Sequence, residues 1–416
     1  MEDRKIYPLR PIQRFLIDAH FKKAKSTMMN VGALLKLSPV VDMERLADAV
    51  NETLAAHDIF RCRLILNPDT QDISQTFDGE IVRAEIEKMS DEEFELLRKK
   101  KLRMPYKIIN QPLYHIYLFE TPTSKYAYVD FYHAVMDGVS IASLFHREIN
   151  LRYNGRNISD KLGSYAQFIE DELNTPEIEL AEGHKYWRNF LLDFDAVKNL
   201  PPVDVNTVSR WTKGQFKTTF KNISEEFFRT TRRKENIFFL AASMITLLKF
   251  ADTKKIFMKM IYTGREKTNE RMIMGLMYDV FPCAWDFSKD MTVAYFLNNL
   301  AGKIRTDSSY KKSLDIVYNE SLADDCPFFS FRKGISSDHL TIGNTTALVI
   351  DMPPNEISAA ENSLDINVVL NEHGMYELKL EYDASRFSEG LMKKFFAELE
   401  NVVLKMQDEK TLISRI

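Results

Sequence analysis

The stretch YVDFYHAVMDGVS, residues 128–140, sets the end of a predicted strand against the start of a predicted helix. Side chains alternate along the strand with a period of two, so one face is apolar and ends at His133, while the other carries tyrosines and Asp130. Gly138 permits a tight turn, and apolar positions at helical spacing resume after it. The stretch therefore predicts a strand, a turn and a helix, with one histidine where the strand ends.

The sequence before this stretch mixes helix and strand patterns. DMERLADAVNETLAAH begins at Asp42, a good N-cap, and carries apolar residues at helical spacing. SDEEFELLRKKK begins with a possible capping box of Ser90 and Glu93. LYHIYLFE and KYAYVDFYH, separated by the turn-forming TPTS, predict a hairpin or two neighbouring strands.

The second half of the chain repeats this mixture. SEEFFRTTRRKENIFFLAASMITLLKFA predicts two helices around a basic turn, and KKIFMKMIYTG predicts a buried strand. LDINVVL and YELKLEY predict a hairpin across NEHG, followed by a final amphipathic helix. DAVKNLPPVDVNTV contains paired prolines and no periodicity, which is typical of a domain boundary. We therefore predict two α/β domains, residues 1–195 and 196–416.

Bulk composition excludes several classes of protein. A chain of 416 residues with 45% hydrophobic content can bury a large core. Its net charge of -4, without a concentrated basic face, argues against a nucleic-acid partner. The three cysteines lack CxxC spacing, so neither a disulfide framework nor a zinc site is expected. No signal-peptide pattern and no apolar run long enough to span a bilayer are present, and we predict a cytoplasmic protein.

Two interpretations of His133 follow from its position. A histidine that ends an apolar face is commonly a packed ring satisfied by one backbone bond. The spacing to Asp137 favours a second interpretation, because a strand that stops at a histidine before a short turn lets the imidazole enter a cleft. A neutral imidazole, with a reference pKa of about 6.5, can take a proton from an attacking hydroxyl, amine or thiol. The HxxxDG pattern is short and does not decide between the two by itself.

Several stretches in a fixed order resemble the condensation domains of nonribosomal peptide synthetases and their free-standing acyltransferase relatives. The family's core motif is HHxxxDG, which stands here as Tyr132-His133-Ala-Val-Met-Asp137-Gly138. Further matching stretches are YPLRPIQRFL at 7–16, HDIFRCRLI at 57–65, TGREKTNERMIMGLMYDVFP at 263–282 and LDINVVLNEHGMYELKLEYDASRF at 364–387. The resemblance covers nearly the whole chain. It implies an α/β fold of two chloramphenicol-acetyltransferase-like lobes that form a V with a central tunnel.

The resemblance also implies roles for individual residues. His133 matches the catalytic histidine, which acts as general base on the nucleophile that attacks an acyl thioester. Asp137 matches an aspartate that supports the site by pairing with an arginine, and Arg61 is at the matching position. Gly138 would supply backbone freedom and a helix N-terminus near the site.

Two residues depart from the family pattern. Tyr132 replaces the first histidine of the motif, and we expect its phenol to pack on the outer face of the strand. Asp279 stands where family members commonly carry asparagine. Together with Tyr278, these residues are candidates to line the tunnel.

Three functions are compatible with the resemblance. The first is an acyltransferase that moves an acyl group from coenzyme A or a carrier-protein phosphopantetheine, as co-substrate, to a small amine or alcohol. A carrier protein would act in trans, because the chain begins at the family's first motif. The second is a non-catalytic module that binds a carrier protein, and the third is an epimerisation-type relative.

The remaining motifs predict no further chemistry. The sequence has no GxxxxGK phosphate loop, no GxSxG elbow and no histidine spacing typical of a metal site, so we expect no metal and no permanently bound cofactor. RTTRRKEN, residues 229–236, is either a solvated turn between helices or a surface for coenzyme A phosphates or an acidic carrier protein.

Overall fold

The structure is a computed structural model that describes residues 4–100, 102–156, 158, 163–194, 200–205, 212–251, 253–265, 267–319, 326–333, 339–350, 363–371 and 373–416. Within these residues the helices are α1 (Pro11–Lys22), α2 (Met43–Ala56), α3 (Asp91–Lys100), α4 (His146–Tyr153), α5 (Tyr165–Leu173), α6 (Glu177–Asp193), α7 (Glu225–Thr231), α8 (Glu235–Phe250), α9 (Val293–Ser309), α10 (Asp315–Asn319) and α11 (Glu389–Lys405). The strands are β1 (Tyr7–Pro8), β2 (Asn30–Leu37), β3 (Arg63–Leu66), β4 (Ile73–Thr76), β5 (Ile86–Lys88), β6 (Tyr114–Glu120), β7 (Lys125–Tyr132), β8 (Lys213–Thr219), β9 (Lys255–Tyr262), β10 (Asp279–Asp286), β11 (Phe328–Lys333), β12 (His339–Ile342), β13 (Thr345–Ile350), β14 (Leu364–Leu370) and β15 (Tyr376–Asp383).

The chain divides into two units, and neither is one continuous segment. Unit 1 consists of Met1–Asn174, Thr263–Tyr278 and Ser336–Ala359, and unit 2 of Thr175–Tyr262, Asp279–Ile335 and Ala360–Ile416. The predicted cut between residues 195 and 196 differs from this division, because α6 belongs to unit 2 and two segments of the second half belong to unit 1. Composition does not reveal that segments of the second half belong to unit 1, because this depends on which distant strands pair.

Unit 1 is built on a six-stranded sheet in the order β12-β13-β2-β7-β6-β5. The motif strand β7 lies inside this sheet, antiparallel to β2 and to β6, and the predicted β6–β7 hairpin is confirmed. The strands from the second half enter through β13, which pairs with β2. A separate three-stranded sheet has the order β1-β4-β3.

Both faces of β7 are covered. On the apolar face, the ring of Phe131 contacts the rings of Phe60 and Phe145. The ring centroids of Phe131 and Phe145 are 5.1 Å apart. On the opposite face, Phe94 of α3 stacks on Tyr126 at 3.9 Å. The expectation that the tyrosine face points outward is therefore wrong, because α3 and the segment after it pack over these rings.

Unit 2 is built on a second six-stranded sheet, in the order β10-β9-β11-β14-β15-β8. Strand β11 runs parallel to β9 and β14, while the predicted β14–β15 hairpin is antiparallel and confirmed. Helix α8 is apolar around most of its circumference and is almost entirely buried, as expected of a helix inside a core. Mixed sheets with packed helices confirm the predicted α/β class.

Local helix signals in unit 1 were predicted correctly. Asp42 caps α2 by accepting a hydrogen bond from the Arg45 N–H at 3.1 Å. At the start of α3 the Ser90 N–H donates to Glu93 at 2.9 Å, and the Glu93 N–H donates to Ser90 at 3.2 Å. These reciprocal bonds satisfy amide groups that the first turn of a helix leaves without partners.

No helix in the described part of the chain combines the length and the apolar character needed to cross a membrane.

Candidate active site

His133 lies directly after the last residue of β7, and two backbone carbonyls fix it. Its N–H donates to the Met29 carbonyl at 2.8 Å, at the start of β2. Its Nδ1 lies 3.1 Å from the Met136 carbonyl in the turn. Because a carbonyl only accepts, Nδ1 carries the proton and the neutral ring has its lone pair at Nε2.

The surroundings of His133 favour the neutral ring. Burial lowers the pKa of His133, while the Met136 carbonyl and the Asp137 charge oppose that shift in part. The side chain keeps part of its surface exposed. One ring contact flanks it, to Tyr278, with centroids 5.7 Å apart and planes inclined by 45°. A neutral, partly accessible imidazole is suited to accept a proton.

Asp137 is the hydrogen-bonding centre of the turn and is only 2% exposed. Its carboxylate accepts from the Ser140 N–H at 2.7 Å and the Met277 N–H at 3.0 Å. The Arg265 guanidinium donates to both oxygens, at 2.8 and 3.1 Å. Both carboxylate oxygens are therefore engaged in holding two distant segments together.

The predicted partner of Asp137 is wrong. Arg61 is exposed at the end of a short 3-10 turn and makes no ion pair with Asp137 in the described structure. Arg265 takes that place, and the side chains of Arg265 and Asp137 are 6% and 3% exposed. A buried carboxylate needs a partner that reaches it without water, and Arg265 approaches from the 263–278 segment.

Ser140 binds the same segment from the first turn after the motif. Its hydroxyl donates to the Gly275 carbonyl at 2.8 Å and accepts from the Gly275 N–H at 3.0 Å. Arg265 also donates to it at 2.7 Å. The helix that begins here is π-helical over Ser140–Phe145, a wider turn that is often found at functional sites.

Two residues of the N-terminal motif YPLRPIQRFL support the turn. The buried Gln13 amide donates to the Ala134 carbonyl at 3.1 Å. Arg10 donates to the Leu276 carbonyl at 2.7 Å, and the Tyr165 hydroxyl donates to the same oxygen at 3.1 Å. The sequence of this stretch resembles the family, but its residue types do not show which atoms these side chains reach.

Gly138 lies at the start of the helix near the site, as expected, but its backbone does not need the freedom of a glycine. Its φ is outside the left-handed region, and a Cβ built there would meet no atom within 4 Å. Gly138 is exposed, so the glycine leaves open space at the start of the helix instead of permitting an unusual backbone.

The remaining predicted site residues lie apart. Tyr132 is 0% exposed, with its ring against His20 and Tyr106, so it does not line a solvent-filled passage. Tyr278 is half-buried beside His133. Asp279 is buried as the first residue of β10 and belongs to unit 2.

Other reactive groups in the described chain are held in structural roles. Burial raises the pKa of Cys62 and raises that of Cys283 to about 12, which disfavours the thiolate form. No cluster of three histidine, cysteine or acidic residues that could hold a metal occurs among the described residues. In the basic stretch 229–236, Arg233 pairs with Glu409 and Arg229 pairs with Glu226.

Comparison with known proteins places this chain in a family. The family model of the condensation domain matches residues 3–411. The hybrid PKS-NRPS synthetase gkaA of Penicillium citrinum is 23% identical over 381 residues, which cover 84% of this chain and 9% of that protein. This chain spans 9 to 10% of the length of the first curated relatives that it matches.

Solved structures share the fold at low sequence identity. The condensation domain of the Monacolin K polyketide synthase MokA aligns with a TM-score of 0.78 and 16% identity, covering 98% of this chain and 99% of that one. A variant of the starter condensation domain of the rhizomide synthetase RzmA, in complex with C8-CoA and Leu-SNAC, aligns with a TM-score of 0.72 and 13% identity, covering 99% and 96%. At this identity the likeness shows the fold alone.

Proposed function

Because the chain belongs to the condensation-domain family, we propose that it transfers an acyl group from a thioester to an amine or an alcohol, with His133 as general base. Condensation domains in general transfer acyl groups. The identity of the base, the donor and the acceptor is the proposal for this chain.

One observation carries the proposal: the fixed tautomer of His133. The Nδ1 proton is held by the Met136 carbonyl at 3.1 Å, and no described residue hydrogen-bonds Nε2. The ring therefore presents its lone pair at Nε2, and its lowered pKa keeps that lone pair unprotonated at neutral pH.

The reaction follows from that lone pair. The acceptor nitrogen or oxygen attacks the thioester carbonyl carbon while His133 Nε2 takes the acceptor's proton. The tetrahedral intermediate then breaks its C–S bond, and the imidazolium returns the proton to the leaving sulfur. The products are an amide or an ester and a free thiol.

The proposed co-substrate is an acyl thioester of coenzyme A or of a carrier-protein phosphopantetheine. The RzmA domain variant is in complex with C8-CoA and Leu-SNAC, which supports a thioester donor for a chain of the same fold. The acceptor is a small amine or alcohol, and the reaction as proposed needs no resident metal or cofactor.

The site geometry predicts a strong dependence of transfer on His133. Replacing His133 with alanine should lower kcat/KM by about 10²- to 10⁴-fold, the usual contribution of a general base. Purified protein is incubated with acyl-coenzyme A and acyl-carrier donors and a panel of amines and alcohols, and thiol release is followed. His184→Ala is the matched control, because His184 is a partly exposed partner of Asp315 in unit 2.

Each outcome separates the candidate functions. Thiol release that requires both an acceptor and His133 supports acyl transfer. Full activity in a folded His133→Ala protein would exclude His133 as the base. If no donor is consumed and a carrier protein binds with micromolar affinity, the chain is a binding module. Loss of chirality in a carrier-bound aminoacyl group without transfer would identify an epimerisation-type relative.

A further inference from the structure

The tyrosine face of β7 holds a buried carboxylate behind His133. Asp130, three residues before His133, is 1% exposed. It pairs across the sheet with Gly32 of β2 and with His115 of β6. Gly32 adds no side chain on this face, and a Cβ there would fall 2.0 Å from the Val129 carbonyl oxygen. The carboxylate is thus enclosed in the sheet and shielded from solvent.

Charged and titratable groups face Asp130 from each neighbouring element. The segment after α3 contributes Arg103 and Tyr106, and β7 itself contributes Tyr128. The ring of His115 on β6 stacks on Tyr106, with centroids 4.7 Å apart. Further titratable rings at this face are Tyr117 of β6, which stacks on Tyr128 and on His115, Tyr132 of β7, and His20 of α1, which contacts Tyr132.

Asp130 is held by one side-chain amide. The Asn30 Nδ2 donates to Asp130 Oδ2 at 2.5 Å and to the Met104 carbonyl at 3.0 Å. Among the described residues, the other carboxylate oxygen, Oδ1, has no hydrogen-bond partner. The hydroxyls of Tyr106 and Tyr128 are likewise buried without a bond of normal geometry. The neighbouring hydroxyls of Tyr128 and Tyr106 also act on the charge of Asp130, but the bond to Asn30 is the one that connects this charge to the start of β2.

A short chain of contacts leads from Asn30 to His133. The Arg103 guanidinium donates to the Asn30 carbonyl at 2.6 Å, so both ends of this residue are held. The preceding residue, Met29, presents the carbonyl that accepts the His133 N–H at 2.8 Å. The first residue of β2 thus anchors the backbone on which the candidate base rests.

We propose that Asp130 is a positioning residue for His133, acting through Asn30 and the Met29 carbonyl. The inference rests on the proposed role of His133 in acyl transfer. Asp130 touches neither substrate nor reacting atoms. It sets the strength of the Asn30 bond, and with it the position of the His133 backbone and ring.

The charge of Asp130 changes in an accessible pH range. Burial raises the pKa of Asp130 to about 6, against the opposing effects of the Asn30 bond, the Arg103 charge and the neighbouring hydroxyls of Tyr128 and Tyr106. Above this pH a charged acceptor holds the Asn30 amide, and below it a neutral acid makes a weaker bond. Positioning of His133 should therefore weaken as the pH falls through 6.

The first experiment compares pH profiles of acyl transfer in wild-type and Asp130→Asn proteins. Both proteins should lose activity as His133 becomes protonated, and the wild-type kcat should show an additional limb near pH 6 that the variant lacks. At pH 7.5 the variant kcat should be roughly fivefold lower, the difference between a charge-assisted and a neutral bond, with KM unchanged. At pH 5 the two proteins should have equal kcat.

A matched control distinguishes the effect of a buried carboxylate near His133 from the effect of a buried carboxylate elsewhere in the protein. Asp307 in unit 2 is also 1% exposed, and burial raises its pKa too. Asp307→Asn should leave the pH profile of transfer unchanged. Combining Asp130→Asn with Asn30→Ala should lower kcat no further than Asn30→Ala alone, because both act along one path. Additive losses, or an unaltered profile in Asp130→Asn, would overturn the inference.

A second readout does not depend on activity. Ring-labelled histidine gives an NMR signal for His133, identified by its loss in His133→Ala. Besides the titration of the His133 ring itself, which every variant keeps, its position should show a second inflection near pH 6 in wild type and Asp307→Asn that Asp130→Asn lacks. A wild-type titration without this inflection contradicts the inference even when Asp130→Asn fails to fold. Absence of thiol release with the inflection present would instead count against acyl transfer alone.

Discussion

At the scale of single residues, the support of the motif turn depends on one buried pair. Asp137 and Arg265 are separated by 128 positions in the chain, yet both side chains are nearly inaccessible. Removing one member of such a pair leaves the other buried and uncompensated, which costs about 3–5 kcal/mol. An exposed arginine without a specific partner contributes within about 0.5 kcal/mol.

Arg265→Ala should therefore lower the free energy of unfolding by about 3–5 kcal/mol, because it strands the Asp137 carboxylate. Arg61→Ala, at the position first expected to pair with Asp137, should change it by less than about 0.5 kcal/mol. Urea unfolding of both variants measures the difference. Equal destabilisation by the two substitutions would contradict the assignment of Arg265.

Sequence alone predicts some of these residues and not others. His133 at a strand end and the caps at Asp42 and Ser90 follow from local spacing, and the structure places them as expected. The choice between Arg61 and Arg265 depends on which loop reaches the turn. Both arginines lie in stretches that resemble the family, so residue type could not distinguish them.

At the scale of elements, two glycines near the site differ in what they permit. Gly138 has open space where a Cβ would lie. At Gly275 an ideal Cβ would fall 2.2 Å from the Tyr165 ring, in the segment that Ser140 and Arg10 hold in place. Only the second glycine is required by close packing between elements.

Gly275→Ala should destabilise the protein by about 1–3 kcal/mol, the usual cost of overpacking, because the Tyr165 ring must shift. It should also weaken acyl transfer, since Tyr278 beside His133 belongs to the same segment. Gly138→Ala should stay within about 0.5 kcal/mol of wild type. Thermal unfolding of the two variants tests this difference. Unchanged stability of Gly275→Ala would show that the Tyr165 ring can shift without a cost in stability.

The buried tyrosine face of β7 shows that sequence patterns can predict individual helices and strands without predicting how they pack. Alternation correctly predicted β7 and its hairpin partner, and capping correctly predicted α3. Neither pattern shows that α3 packs over the tyrosines, because polar-aromatic rings occur both at surfaces and in cores. That packing is what encloses Asp130.

At the scale of the whole molecule, burial of Asp130 makes stability depend on pH. Its pKa is about 6 when folded and 3.8 for an unburied group, so the folded state binds the proton more tightly. Folding therefore carries a penalty of about 3 kcal/mol above pH 6, which fades as the pH falls through 6 toward 3.8.

Asp130→Asn removes that penalty. Relative to wild type, the variant should be more stable at pH 7.5 by up to about 3 kcal/mol, and the difference should shrink to near zero at pH 4. Denaturant unfolding across this range tests the sign and the midpoint. A stability difference that is constant with pH would show that Asp130 is not titrating in the folded protein.

The pairing of β13 with β2 has a consequence for biosynthesis. Val349 lies opposite Leu35 in that ladder, so β2 leaves the ribosome long before its partner strand exists. At 5–20 residues per second the delay is roughly 15 to 60 s. During that time the edge of β2 that β13 later covers has unpaired backbone groups, and slower elongation lengthens the period in which the nascent first unit can pair with other chains at this edge.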